Sequence, residues 1–135
     1  MIMLDSTACI DYLNGDEGIK EVINESDKML NISTVSIYEV SIGLERTKRK
    51  ISEARYTILY KRWIEFLTGV QIIILDIKEA ERSSQIFDEL EAIGERIDDN
   101  DILIAGSMLS NGITTIITRN KRHFEKIKDL NIIEY

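Results

Sequence analysis

The sequence has no proline, one cysteine and one histidine among its 135 residues. A lone cysteine, Cys9, cannot form an internal disulfide, and Cys9 together with His123 cannot complete a four-ligand zinc site. We interpret Cys9 as a small buried hydrophobic residue. No apolar run approaches the ~20 residues that span a bilayer, and the first residues lack the basic and long apolar regions of a signal peptide. We therefore expect a cytoplasmic protein with one domain, residues 1–135.

Negative charge prevails overall, but positive charge is concentrated in two segments. The net charge is −7, with a pI near 4.8. Residues 46–62 contain seven Lys and Arg against Glu53 alone, and residues 119–128 contain five against Glu125. Because salt screens exposed charges beyond about 10 Å, either segment could bind a phosphate backbone locally. The pattern is equally consistent with basic side chains that only solvate helices.

Short apolar runs alternate with segments of helical periodicity along the whole chain, which predicts an α/β fold with a parallel sheet. The predicted strands are residues 2–4, 29–32, 70–75, 114–117 and 131–133. The run at 70–75 is continuously apolar, which is typical of a strand buried on both faces. Glycine or Asn-Gly follows several of the helical segments, as at a helix end.

Three acidic residues stand near the starts of three predicted helices. Asp5 follows the first strand, at the edge where parallel α/β sheets bind ligands, but it also suits an N-cap. Glu39 is a candidate for the same site, and the spacing Ser36-x-x-Glu39 also fits a capping box. Asp101 follows Asp98, Asp99 and Asn100. The helix dipole stabilises acids in a first turn, but four consecutive oxygen-bearing side chains exceed what one cap requires.

If these three carboxylates converge, their mutual repulsion calls for a cation. Oxygen ligands without paired histidines or cysteines select a hard ion such as Mg²⁺ or Mn²⁺. Such an ion binds phosphate oxygens and activates water, which suits phosphodiester hydrolysis.

Four segments, taken in order, resemble PIN-domain proteins. They are residues 3–10 (MLDSTACI), 32–43 (ISTVSIYEVSIG), 101–106 (DILIAG) and 118–124 (TRNKRHF). Each segment is common alone, but the four together are specific and nearly span the chain. The length is similar to that of the VapC-type toxin branch, small single-domain ribonucleases that pair with an antitoxin.

The resemblance implies a three-layer α/β/α fold with a five-stranded, mostly parallel sheet. It implies an endoribonuclease dependent on Mg²⁺ or Mn²⁺, which forms a homodimer and binds a cognate antitoxin protein. Carried over by position, Asp5 and Asp101 are the expected direct metal ligands. Glu39 orients water or ligates through it. Asn120 stands where many relatives have aspartate, so it is expected to bond water or phosphate instead.

Other residues near these motifs have supporting interpretations. Asp98 and Asp99 could add negative charge, whereas Ser6 and Thr118 place hydroxyls beside the pocket or serve only as caps and turn formers. Arg119, Lys121 and Arg122 could contact RNA phosphates or pair with nearby acids. His123 could act as a general base, although we favour a role with Phe124 in orienting and closing the loop.

The aromatic residues are interpreted as core or interface residues rather than base-stacking platforms. These are Tyr38, Tyr56 and Trp63. Helices that carry Ile42, Tyr56, Tyr60 and Trp63 could supply a dimer face and a groove for the antitoxin.

Two other functions are compatible with an α/β chain of this kind. The first is a catalytically inactive interaction module of the PIN fold, which the asparagine at Asn120 favours. The second is a phospho-accepting receiver domain with Asp76 as the acceptor. The receiver interpretation is weak because no acid pair follows Leu4 and the chain ends just after its last strand.

Overall fold

The computed structural model describes residues 1–135 and contains one sheet of five parallel strands. The strands are β1 (Ile2–Leu4), β2 (Leu30–Ser33), β3 (Gln71–Ile73), β4 (Thr115–Thr118) and β5 (Asn131–Glu134). Their spatial order is β3-β2-β1-β4-β5. A receiver domain of the flavodoxin type has the order 2-1-3-4-5, so the strand order argues against that alternative.

Seven helices connect and cover the strands. They are α1 (Ser6–Leu13), α2 (Glu17–Glu25), α3 (Thr34–Lys48), α4 (Glu53–Thr68), α5 (Ile77–Ala92), α6 (Asp99–Leu109) and α7 (Lys121–Phe124). The short helix α7 was not among the predicted elements, because a single turn carries no periodic signal. None of the helices is both long enough and apolar enough to cross a bilayer.

Two hydrophobic cores lie on opposite faces of the sheet, so the three-layer α/β/α expectation is confirmed. Alternate residues of a strand point to opposite faces. Met3 accordingly packs with α5 and α6 around Ile104 and Met108, whereas Leu4 packs with α1 and α4 around Ala8, Cys9 and Trp63. Cys9 is fully buried, as predicted.

The prediction that residues 70–75 form a strand buried on both faces is wrong. Only Gln71–Ile73 pair, and they pair with β2 alone at the edge of the sheet. Ile72 is 40% exposed and Ile74 is 65% exposed. An apolar run shows that a strand is present, but its place in the sheet depends on contacts with distant residues.

The aromatic predictions have mixed outcomes. Trp63 is only 2% exposed and stacks on Phe66 with ring centroids 5.7 Å apart, so it is a core residue and not part of an outer groove. Tyr56 is half-buried against the same core. Tyr38 is 61% exposed, so it is not a core residue, and its interpretation as an interface residue stays a prediction.

Candidate active site

The strand order creates a crevice at the carboxyl ends of β1 and β4. β2 and β3 lie on one side of β1 in the sheet, and β4 and β5 lie on its other side. The order of the strands therefore reverses between β1 and β4. Ligands of open parallel sheets bind at such a switch point, outside the carboxyl ends of the strands. Asp5 follows β1 directly, and Thr118 is the last residue of β4.

Asp5 is held rigidly at this point. It is 1% exposed, and it caps α1 by accepting a hydrogen bond from the Ala8 backbone N–H at 2.8 Å. The hydroxyl of Thr118 donates to Asp5 Oδ2 at 2.5 Å, and the Thr7 hydroxyl lies 2.8 Å from Oδ1 and 3.0 Å from Oδ2. The N-cap interpretation of Asp5 is therefore confirmed, and its role in a functional site stays a prediction.

Burial raises the pKa of Asp5 to about 6. The hydrogen bonds from Thr118, Ala8 and Thr7 work against this rise, whereas the negative charge of Asp101 adds to it. Asp5 and Asp101 therefore share one electrostatic environment. A buried carboxylate with a raised pKa beside another acid is a common feature of functional sites.

Glu39 reaches the same crevice from α3. This helix begins after Ser33, whose hydroxyl accepts from the Val35 backbone N–H at 3.1 Å. The predicted capping box of Ser36 and Glu39 is therefore wrong. Ser6 Oγ instead donates to Glu39 Oε1 at 2.6 Å and lies 3.0 Å from Ser36 Oγ.

Asp101 reaches the crevice from the first turn of α6. Its Oδ2 lies 2.6 Å from His123 Nδ1. Burial raises the pKa of Asp101, with further contributions from the negative charges of Asp98 and Glu39, while His123 opposes the rise. Asp98 is the N-cap of α6, and its Oδ1 accepts a hydrogen bond from the Asn100 backbone N–H at 3.1 Å. Asp98 and Asp99 are both exposed, and of the two only Asp98 contributes to the raised pKa of Asp101.

Asp5, Glu39 and Asp101 lie at the start of α1, in the second turn of α3 and in the first turn of α6. The positive ends of these three helix dipoles therefore meet at this edge, which favours an anionic ligand. In the observed side-chain positions, no three Asp, Glu, His or Cys residues are arranged to hold one metal ion. Hydroxyl groups bond to both oxygens of Asp5, and the His123 imidazole contacts Oδ2 of Asp101. The donor chemistry nevertheless fits a hard divalent cation, since every candidate ligand is a carboxylate oxygen.

Thr118 and Asn120 form the wall of the site on the β4 side. Thr118 is fully buried, and its Oγ1 also accepts from the Asn120 N–H at 2.8 Å. The Asn120 side chain forms no capping bond at the start of α7. Phe124 is fully buried, which places it where it can close this loop.

A second buried carboxylate lies beside the site and was not identified from the sequence. Asp11 Oδ2 accepts from the Tyr135 hydroxyl at 2.7 Å and lies 3.2 Å from Arg119 Nη1. Asp11 therefore ties the ends of β4 and β5 to α1. The sequence offers one weak signal, an acid three residues after Ala8 and therefore on the same face of α1.

These features define a class: parallel α/β domains with an acidic crevice at the switch point of the sheet. The sequence matches the PIN domain over residues 2–130, and the chain belongs to the PIN domain family.

Among its relatives, the chain is 28% identical over 134 residues to the tRNA(fMet)-specific endonuclease VapC of Salmonella typhimurium. The match covers 98% of this chain and 96% of that protein. Among solved structures, VapBC of Salmonella typhimurium bound to DNA aligns with a TM-score of 0.81 and 27% identity, over 98% of this chain and 96% of that chain. VapBC2 of Rickettsia felis, bound to a promoter DNA fragment, aligns with a TM-score of 0.83 and 24% identity, over 100% and 99%.

Proposed function

We propose that this protein is a Mg²⁺- or Mn²⁺-dependent endoribonuclease and the toxin of a toxin–antitoxin pair. The observation that carries the proposal is the crevice itself, where Asp5, Glu39 and Asp101 meet at the switch point. Two relatives that match almost the whole chain are named tRNA(fMet)-specific endonucleases. That name makes initiator tRNA the first substrate to test.

Asp5 and Asp101 are the side chains that would hold the cation, with Glu39 beside them. A bound Mg²⁺ or Mn²⁺ would offset the carboxylate charge, polarise the phosphodiester and lower the pKa of an attacking water. Thr118 and Thr7 fix the orientation of Asp5 through their hydroxyls. Such fixed ligands lower the reorganisation needed during reaction.

Glu39 is the residue we assign to receive the proton of the attacking water. Its Oε1 accepts from Ser6, which leaves Oε2 available as a proton acceptor. Because water is the nucleophile, the products carry a 5′-phosphate and a 3′-hydroxyl. A substrate with a 2′-deoxy substitution at the cleaved position should still be cut, whereas a 2′,3′-cyclic phosphate product would contradict this mechanism.

The activity test uses purified protein, initiator tRNA and Mg²⁺, with EDTA as the negative condition. We expect cleavage by the natural chain and a loss of at least 100-fold in Asp5→Asn and Asp101→Asn, because each removes a charge from the site. Asp88→Asn is the matched control, since Asp88 is exposed on α5 and its side chain forms no hydrogen bond or salt bridge with a site residue. Equal cleavage by all four proteins would indicate a contaminating nuclease.

The binding test is a Mn²⁺ titration of the melting temperature. Mn²⁺ should raise the melting temperature of the natural chain, and this rise should be lost in Asp5→Asn. Binding of Mn²⁺ without cleavage of RNA would instead support the inactive interaction module.

An antitoxin partner is part of the proposal because the structures that align with nearly the whole chain include VapBC of Salmonella typhimurium and a toxin–antitoxin complex from Klebsiella pneumoniae. The acidic crevice could accept a basic side chain from such a partner. Helix α4 exposes Ile58, Tyr60 and Ile64, which could contribute to a partner groove or to a homodimer face. Light scattering of the chain alone and with a candidate antitoxin would measure both assemblies.

A further inference from the structure

A basic cavity of about 520 Å³ adjoins the acidic crevice. It is lined by nine residues, namely Arg96, Ile97, Arg119, Asn120, Lys121, Arg122, His123, Lys126 and Glu134. Five of these are Lys or Arg and one is an acid. The local charge is therefore positive in a protein whose net charge is −7.

The cavity shares a wall with the proposed catalytic site. His123 lines the cavity and contacts Asp101 at 2.6 Å. Asn120 also lines it, and its N–H bonds to Thr118, which in turn bonds to Asp5. A strand with one phosphate at the carboxylates would therefore place a neighbouring phosphate near these cationic side chains.

Most of the cations in the cavity have no carboxylate to neutralise them. Arg119 pairs with Asp11 at 3.2 Å and Lys126 with Glu95 at 2.6 Å. Arg96, Lys121 and Arg122 are exposed and form no salt bridge within 4.0 Å. Because these cationic side chains repel one another, the cavity favours an anionic ligand. A nucleic acid is such a ligand, and its binding is further favoured because it releases the counterions condensed on its phosphates.

The first basic segment, residues 46–62, is arranged differently. Several of its cations lie at the end of α3, where Lys48 is ~13 Å along the helix axis from Glu39. Lys48 Nζ lies 5.5 Å from the centroid of the Tyr56 ring. No residue of the first basic segment, 46–62, lines the basic cavity.

We propose that the basic cavity binds the RNA backbone next to the cleaved bond, and that Arg96 is a substrate-binding residue. This inference rests on the proposed nuclease function. It separates the two basic segments, since it assigns RNA contact to residues 119–126 together with Arg96 from the α5–α6 connection. The sequence alone did not connect Arg96 with the site.

The test measures binding of a fluorescent single-stranded RNA by anisotropy. EDTA is present to remove divalent ions, so that RNA binding is measured without cleavage. Arg96→Gln and Arg122→Gln should each weaken binding about fivefold, as expected for one lost phosphate contact. Each should also lower the slope of log affinity against log salt by ~0.7. Arg55→Gln, an exposed cation of the first basic segment, is the matched control and should change neither quantity.

All variants replace exposed side chains, and their melting temperatures should match that of the natural chain. Unchanged RNA affinity in the double variant Arg96→Gln/Arg122→Gln would overturn the proposal. An equal loss of RNA affinity in Arg55→Gln would also overturn the proposal, because cations outside the cavity would then contribute as much to RNA binding as those that line it. Binding of duplex DNA but not of RNA would refute the assigned ligand. A natural chain that binds RNA through the cavity but never cleaves it would reject the proposed activity alone.

Discussion

Replacing Asp5 by asparagine should stabilise the metal-free protein at neutral pH while it abolishes activity. The carboxylate is 1% exposed, and burial raises its pKa from 3.8 to about 6. Ionisation of Asp5 is therefore more costly in the folded chain than in the unfolded chain. The groups that donate to Asp5 are two hydroxyls and a backbone N–H, so no cationic side chain offsets this cost.

The sign and size of the effect follow from the two pKa values. Below pH 3.8 the group is protonated in both states, so it contributes no penalty. Above pH 6 it is ionised in both states, and a rise of about two pH units corresponds to a penalty of about 3 kcal/mol. Asparagine removes the penalty, but with its Oδ1 kept on the Ala8 N–H its NH₂ group faces Thr118 and cannot accept from that hydroxyl, a loss of about 1 kcal/mol.

The net gain is about 2 kcal/mol at pH 8, or about 6 °C in melting temperature for a domain of this size. We expect thermal unfolding in EDTA to show this gain at pH 8, whereas at pH 4, where the ionisation penalty has almost gone, the lost hydrogen bond should leave the variant slightly less stable than the natural chain. Asp88→Asn should not change the melting temperature at either pH. An Asp5→Asn variant that is less stable at pH 8, or equally shifted at both pH values, would refute the reasoning.

Three further substitutions test other contacts. Ser6→Ala should lower kcat/KM for RNA about tenfold, because Glu39 loses its hydrogen bond at 2.6 Å; Ser6→Thr should retain most activity, and equal rates for both variants would contradict this role. Tyr135→Phe should lower the free energy of unfolding by about 1.5 kcal/mol in urea, since the buried Asp11 carboxylate loses a donor at 2.7 Å, whereas Tyr38→Phe should have no effect. Gly106→Ala should cost about 3 kcal/mol because the new Cβ would lie 1.9 Å from Ser83 Oγ and 2.7 Å from Ser83 Cα. Gly43→Ala is its control, since no atom lies within 4 Å of that Cβ, and equal stability of the two variants would contradict the packing argument.

The positions of most strands and helices could be predicted because their signals are local. Apolar runs identify β1 and β4, and helical periodicity identifies α3 and α4. Asp5 could be selected because a polar residue after a buried parallel strand lies at the ligand-binding edge. The order of the four motifs also indicated the PIN domain family, which the family match confirms.

The prediction for residues 70–75 failed for a physical reason. The apolar run of Val70 to Leu75 is compatible with a central strand and with an edge strand, because both need β-branched residues. Whether such a strand has a neighbour on both sides or on one side only depends on where the other strands of the sheet pack. Here β3 has β2 as its single neighbour. The Ser36–Glu39 capping box failed similarly, because several hydroxyl residues stood near the start of α3 and Ser33 became the cap.

By itself, the sequence determined which segments form strands and helices and which carboxylates stand at their ends, since both depend on neighbouring residues. Tertiary structure decided the partners of those carboxylates. Thr118 bonds Asp5 across 113 residues, and Ser6 bonds Glu39 across 33. It also brought Arg96 beside Arg122 to form the basic cavity. Such contacts depend on how helices pack on the sheet, and no local periodicity or capping rule encodes that packing.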